Sequence, residues 1–99
     1  MKIKDDTQTT KQWLRENIKK CDFLYIHEKQ LEIMAKVWDF LAEHEQYDYA
    51  VPDIRAELNY IYTQPSIVRA IEYLQVLGCV KIYRQVIGVN MYQVTTWRN

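Results

Sequence analysis

The segment from Thr63 to Val80 constrains the fold more than any other part of the chain. Its apolar residues recur at helical spacing over three turns: Ile67, Ala70, Ile71, Leu74 and Leu77. Thr63 is a suitable N-cap residue, and Gly78 follows the last apolar position, where glycine commonly ends a helix. The spacing predicts a helix over residues 63–77 with one buried face.

A β-hairpin is predicted directly after this helix. Residues 80–86 and 89–95 read as strands, and Gly88 lies at the tight turn between them. Tyr92 and Val94 fall on one face of the second strand, because side chains alternate along a strand. The C-terminal third of the chain is therefore expected to form a helix followed by two antiparallel strands.

Three further helices are predicted upstream, over about residues 8–21, 28–45 and 52–58, with a short strand over 47–51. The helix over 28–45 has a wider apolar surface than an ordinary surface helix. We therefore expect it to be covered on two sides, by the domain core and by either the first helix or a second copy of the chain. Residues 1–6 are polar and are expected to be frayed.

Composition limits the class of protein. Ninety-nine residues suffice for one hydrophobic core, so residues 1–99 are interpreted as a single domain. The formal net charge is zero, but residues 1–62 carry −3 and residues 63–99 carry +3.

No signal peptide or membrane span is visible, which indicates a cytoplasmic protein. Cys21 and Cys79 are expected to be reduced thiols, although spacing leaves a disulfide open.

The order of elements from residue 28 onward resembles that of the winged helix-turn-helix family. The segment Thr63–Val80 is similar to the family's recognition helix at seven positions: Ile67, Arg69, Ala70, Ile71, Leu74, Gly78 and Val80. Residues 51–58 look like the helix that precedes it. The resemblance covers roughly residues 28–95. It implies an α+β, mainly α, winged helix-turn-helix with an extra N-terminal helix and a C-terminal β-hairpin wing.

The resemblance implies sequence-specific binding of double-stranded DNA by a small transcriptional regulator that acts as a homodimer. In such proteins the recognition helix enters the major groove and its N-terminal residues reach the base edges. The residues expected to contact DNA are Thr63, Gln64, Ser66, Val68, Arg69, Glu72, Lys81 and Arg84. The residues expected to form the dimer contact are Trp13, Leu14 and Ile18.

The predicted wing tip supports an alternative function. Val86, Ile87 and Val89 are apolar, whereas a wing that enters a minor groove typically carries Arg or Lys. Together with the neutral net charge, this tip is compatible with a protein-protein interaction module on the same fold. Such a module would be an assembly, replication, phage or plasmid accessory factor.

Catalytic and cofactor motifs are missing from the sequence. His27 and His44 are isolated, and neither they nor the two cysteines have the spacing of a zinc site. The two glycines do not form a phosphate-binding loop, and no arrangement of nucleophile and base is visible. We therefore expect a protein without enzymatic activity, cofactor or metal.

Overall fold

The computed structural model describes residues 7–21 and 25–95. These residues form four helices and a two-stranded antiparallel hairpin: α1 (Thr7–Ile18), α2 (Glu28–Glu43), α3 (Val51–Glu57), α4 (Gln64–Val76), β1 (Val80–Val86) and β2 (Val89–Val94). The predicted α+β, mainly α, class is confirmed for this part of the chain. The arrangement is compatible with a winged helix. The predicted fraying falls on residues 1–6, which lie outside the described residues.

Both N-terminal helices are shorter than the sequence predicts. The first helix ends at Ile18 rather than near residue 21, because the amide of Cys21 donates to the Ile18 carbonyl at 2.8 Å and closes a tight turn. The second ends at Glu43, and the amide of His44 donates to Leu41 at 3.2 Å instead of continuing the helical pattern.

The short strand predicted over residues 47–51 is reduced to a single bridge. Tyr49 and Tyr92 exchange backbone hydrogen bonds of 2.9 and 2.7 Å, which attaches one residue to the free edge of β2. The strand cannot extend further because α3 begins at Val51, with Pro52 in its first turn. Asp53 supports this helix start by accepting a hydrogen bond from the amide of Ala50 at 3.4 Å.

Helix α2 lies at the centre of the hydrophobic core. Nine of its 16 residues are buried: Leu31, Ile33, Met34, Ala35, Val37, Trp38, Phe40, Leu41 and Ala42. It packs against α4 on one side and α1 on the other. The prediction that this helix is covered on two sides is confirmed, and α1 of the same chain supplies the second cover.

Polar contacts tie α1 to α2 at two points. Glu28, the first residue of α2, pairs with Lys11 at 3.0 Å and with Arg15 at 2.7 Å. The hydrogen bond from Arg15, followed by that from Lys11, holds the pKa of the Glu28 carboxyl below its usual value. Farther along the pair of helices, the Thr10 hydroxyl donates to Asp39 at 2.7 Å. Together these contacts orient α1 about its own axis, with Thr10, Lys11 and Arg15 towards α2.

Helix α4 follows the sequence prediction closely. Its buried residues are Ile67, Ala70, Ile71 and Leu74. Thr63 is the N-cap, and its hydroxyl accepts a hydrogen bond from the amide of Ser66 at 3.3 Å. Gly78 has a φ of +81°, a left-handed conformation that glycine adopts without strain. The exposed face of α4 is therefore held in place by a buried face that the sequence specifies.

The structure bears on two further expectations, the state of the cysteines and the absence of a membrane span. Cys21 and Cys79 are free thiols, and burial raises the pKa of the Cys79 thiol to about 12. Among the described helices, none has the length and apolar character that a membrane crossing requires.

Candidate nucleic-acid interface

The exposed face of α4 carries most of the residues predicted to contact DNA. A shallow groove of about 550 Å³ runs along this face and is lined by Gln64, Pro65, Val68, Arg69 and Glu72. We call this surface the α4 groove. Four of the predicted DNA-contacting residues are thus brought together on one side of one helix. Any ligand in the α4 groove meets their polar groups together with the apolar surface of Pro65 and Val68.

The two hydroxyl residues at the start of α4 are engaged with each other. The Thr63 hydroxyl donates to Ser66 Oγ at 2.9 Å and also accepts from the Ser66 amide. The hydroxyl hydrogen of Thr63 is therefore used within the cap, whereas the hydroxyl hydrogen of Ser66 is left for another acceptor. Of the two predicted phosphate ligands, Ser66 is the better placed to donate.

The α4 groove is electrically neutral. It contains one cation, Arg69, and one anion, Glu72, three residues apart on the same helix. Among the described residues, the guanidinium of Arg69 has no salt-bridge partner within 4.0 Å. Its hydrogen-bond donors are therefore not committed to a carboxylate in this part of the chain.

The two basic residues predicted on the wing differ in their surroundings. Lys81 is exposed, and its Nζ lies 5.8 Å from the centre of the Tyr83 ring. Arg84 donates from Nε to Asp48 Oδ2 at 2.6 Å. The Arg84 hydrogen bond lowers the pKa of the Asp48 carboxyl, and Asp48 in turn raises the pKa of Arg84. The charge of Arg84 is balanced within the chain, so Lys81 is the freer wing cation.

A β-bulge separates Arg84 from the core-facing side of the hairpin. Ile82 pairs with Tyr92, whereas Arg84 pairs with Met91, so the register shifts by one residue at Tyr83. Tyr92 and Met91 point to opposite faces because they are adjacent in a strand. Simple alternation along β1 would place Arg84 on the same face as Ile82, but the bulge places the two residues on opposite faces.

The apolar residues of the wing tip lie together. Val86 and Val89 pair across the hairpin, and Ile87 between them is 98% exposed. Ile87 has a φ of +51° and Gly88 has a φ of +77°, as in a two-residue hairpin turn of type I′. A β-branched residue rarely adopts a left-handed conformation. The tip thus presents a strained and fully exposed isoleucine.

The residues predicted to form a dimer contact point into the chain's own core. Leu14 is 0% exposed, and the Trp13 ring packs against the Trp38 ring with centroids 4.8 Å apart. Ile18 is half-buried against the same core. Leu14 therefore has no surface left for a second copy, and only Trp13 and Ile18 keep exposed area. The homodimer itself stays a prediction.

One cationic side chain near α4 was missed by sequence reasoning. Arg55, on α3, donates from Nε to the Tyr62 carbonyl at 2.8 Å, directly before the cap of α4. No motif marks this residue, and only the folded turn between α3 and α4 brings it to the start of α4.

Comparison with protein-family models, curated proteins and solved structures found no match to this chain. Among the described residues, no group of three or more histidine, cysteine or acidic side chains could hold a metal ion. The function therefore has to follow from the chemistry of the α4 groove, the turn before it and the wing.

Proposed function

We propose that the protein is a winged helix-turn-helix that binds double-stranded DNA in a sequence-specific manner, with α4 as its recognition helix. The observation that carries this proposal is the α4 groove. It displays Gln64, Arg69 and Glu72 on the exposed side of a helix whose other side is anchored in the core. The DNA major groove is about 12 Å wide and accepts one α-helix.

The side chains of the α4 groove have complementary roles in base recognition. Gln64 has the amide geometry for paired hydrogen bonds with adenine, and Arg69 can bind guanine or a phosphate. Glu72 can accept a hydrogen bond from the amino group of cytosine, and Val68 can contact the methyl group of thymine. The α4 groove is therefore suited to contacts with a mixed base sequence and less to a surface that carries only negative charge, in agreement with its own neutral charge.

A homodimer would place two recognition helices about 34 Å apart, which is one turn of the duplex. The contact would use the exposed parts of Trp13 and Ile18 on α1. A protein of this kind would act as a small transcriptional regulator. Sedimentation that shows a monomer at micromolar concentration would remove the dimer from the proposal without removing DNA binding.

Selection of bound sequences from a random duplex pool tests the proposal directly. We expect an enriched motif, and a palindrome if the protein is dimeric. Arg69→Ala should weaken binding to the selected duplex by about 1–3 kcal/mol and relax specificity at one position. The matched control is Lys19→Ala, because Lys19 is an exposed cation that follows α1 and not α4. No binding at any salt concentration, or equal binding by both variants and the wild type, would contradict the proposal.

The wing tip favours a second candidate, a protein-protein interaction module on the same fold. Ile87 is 98% exposed and apolar, and nothing within the described residues covers it. Val86 and Val89 beside it are also exposed, and a contiguous exposed apolar patch is a feature that can mark a protein contact. Affinity capture with the wild type and with Ile87→Asp should be run beside the duplex assay. A defined partner that is lost with Ile87→Asp, together with no duplex binding by the wild type, would favour this candidate over DNA binding.

A further inference from the structure

The turn between α3 and α4 has a strained backbone. Asn59 and Tyr60 are consecutive and have φ values of +61° and +59°. Asparagine tolerates the left-handed conformation, but a bulky side chain such as that of Tyr60 rarely adopts it. The Tyr60 side chain is also 64% exposed, so burial does little to offset the strain. Strain that burial does not repay often marks a functional position.

The strained turn confines the side chain of Arg55. The Tyr60 amide donates to the Arg55 carbonyl at 3.0 Å and folds the turn back over the end of α3. The Arg55 guanidinium then has its Nε bonded to the Tyr62 carbonyl at 2.8 Å and its Cζ at 5.4 Å from the centre of the Tyr60 ring. Among the described residues, its two terminal amino groups have no hydrogen-bond partner. Arg55 is thus held in place while most of its donors stay uncommitted.

Arg55 lies close to the N-terminal end of α4, where Gln64 lines the α4 groove. Tyr62 precedes the N-cap Thr63, so the guanidinium lies next to the start of α4. When the N-terminal half of a recognition helix reads base edges, the flanking phosphates pass close to that end of the helix. Arginine binds a phosphate through two parallel hydrogen bonds, and an arginine already held in place loses little side-chain freedom in doing so.

We propose that Arg55 is a DNA-backbone contact, and that the strained Asn59–Tyr60 turn serves to hold its guanidinium ready for a phosphate. This inference rests on the proposed function and adds to it a binding residue outside the α4 groove. Arg55 positions the protein on the duplex and reads no base. Tyr60 acts as a positioning residue, since it reaches the phosphate only through Arg55.

Salt dependence separates a phosphate contact from a merely structural arginine. The probe is a labelled duplex that carries the selected motif, titrated at salt concentrations from about 50 to 200 mM. We expect Arg55→Gln to lower the slope of log affinity against log salt by about 0.9, because one counterion fewer is released. Affinity should fall equally for matched and mismatched duplexes. The control Lys19→Gln removes one exposed cation elsewhere and should leave the slope unchanged.

A second variant addresses the turn itself. Tyr60→Gly removes the aromatic ring and also relieves the left-handed strain, so the melting temperature should stay the same or rise. Duplex binding should nevertheless weaken, because the guanidinium is no longer confined. Tyr60→Phe keeps the ring and should bind like the wild type. If the turn has only a structural role, duplex binding should instead stay unchanged in every variant that folds, Tyr60→Gly included.

The outcomes distinguish this inference from the proposed function. If the wild type binds the duplex and Arg55→Gln keeps the wild-type slope, the inference is overturned and the proposed function stands. If Arg55→Gln does not fold, Tyr60→Gly decides, and wild-type affinity in that variant overturns the inference. If the wild type binds no duplex at any salt concentration, both fail together.

Discussion

Arg84 donates to the Asp48 carboxylate at 2.6 Å, although 36 positions separate the two residues along the chain. The bridge between Tyr49 and Tyr92 attaches the segment before α3 to β2, and this brings Asp48 within reach of the Arg84 side chain on β1. The Asp48 side chain is 14% exposed, whereas Arg84 remains largely in solvent. The hairpin therefore contains a cation that its own chain has already paired.

Asp48→Asn should strengthen duplex binding by releasing the charge of Arg84. If Arg84 then reaches a phosphate, the slope of log affinity against log salt should increase in magnitude by up to about 0.9. Fluorescence anisotropy with the selected duplex measures this slope. Glu43→Gln is the matched control, because it removes an exposed carboxylate at the end of α2 and leaves Arg84 paired. An unchanged slope in Asp48→Asn would place the wing outside the DNA contact.

The carboxylates Glu28 and Asp48 should make stability depend on pH in the acid range. Hydrogen bonds from Arg15 and Lys11 lower the pKa of Glu28, and a hydrogen bond from Arg84 lowers that of Asp48. A group whose pKa is lower in the folded state stabilises above its unfolded pKa of about 4, and this stabilisation is lost as the pH falls through the folded value. Melting temperatures measured from about pH 6 downward should therefore fall.

Two variants identify the groups responsible for that acid response. Glu28→Gln and Asp48→Asn should each start from a lower melting temperature at neutral pH and should each show a shallower decrease on acidification. Glu43→Gln, which replaces an exposed carboxylate at the end of α2, should retain the wild-type slope. If all the variants lose stability in parallel with the wild type, the acid response belongs to other groups.

Ile87→Asn should stabilise the protein by about 1 kcal/mol, because asparagine tolerates the left-handed conformation that strains isoleucine. Asn-Gly is also the preferred pair for this type of turn. Thermal melting should show a rise of about 4–8 °C for a domain of this size. Val89→Asn is the control, since it places asparagine in a strand where its β-propensity is low. A lower melting temperature for Ile87→Asn would mean that the turn is not strained.

Leu14→Ala should cost about 2–5 kcal/mol of the free energy of unfolding, because it removes a fully buried side chain between α1 and α2. Chemical denaturation of purified protein measures the loss. Gln12→Ala on the exposed side of α1 should change stability by no more than about 0.5 kcal/mol. If the loss of stability were small and depended strongly on protein concentration, Leu14 would instead lie at a contact between two copies of the chain.

The helices and the hairpin were predictable because their signals are local. The buried face of α4 follows from the spacing of Ile67, Ile71 and Leu74, and its ends follow from the conformational preferences of Thr63 and Gly78. Four of the predicted DNA-contacting residues share the α4 groove for the same reason, since a helix of known buried face has a known exposed face.

Sequence reasoning was less reliable about where elements end and how they meet other parts of the chain. A bulge of one residue at Tyr83 moves Arg84 to the other face of the hairpin, and alternation along β1 contains no sign of it. The strand predicted over residues 47–51 is cut short because α3 begins at Val51.

The sequence alone determined the order and approximate extent of the four helices and the hairpin, and which face of α4 is buried, because these depend on spacing over a few positions. Tertiary structure decided which charges stay free. Asp48 neutralises Arg84, and the turn that follows α3 confines Arg55 beside the start of α4. Both arrangements depend on how separate elements dock, and docking is determined by packing of the whole core, not by the spacing of neighbouring residues.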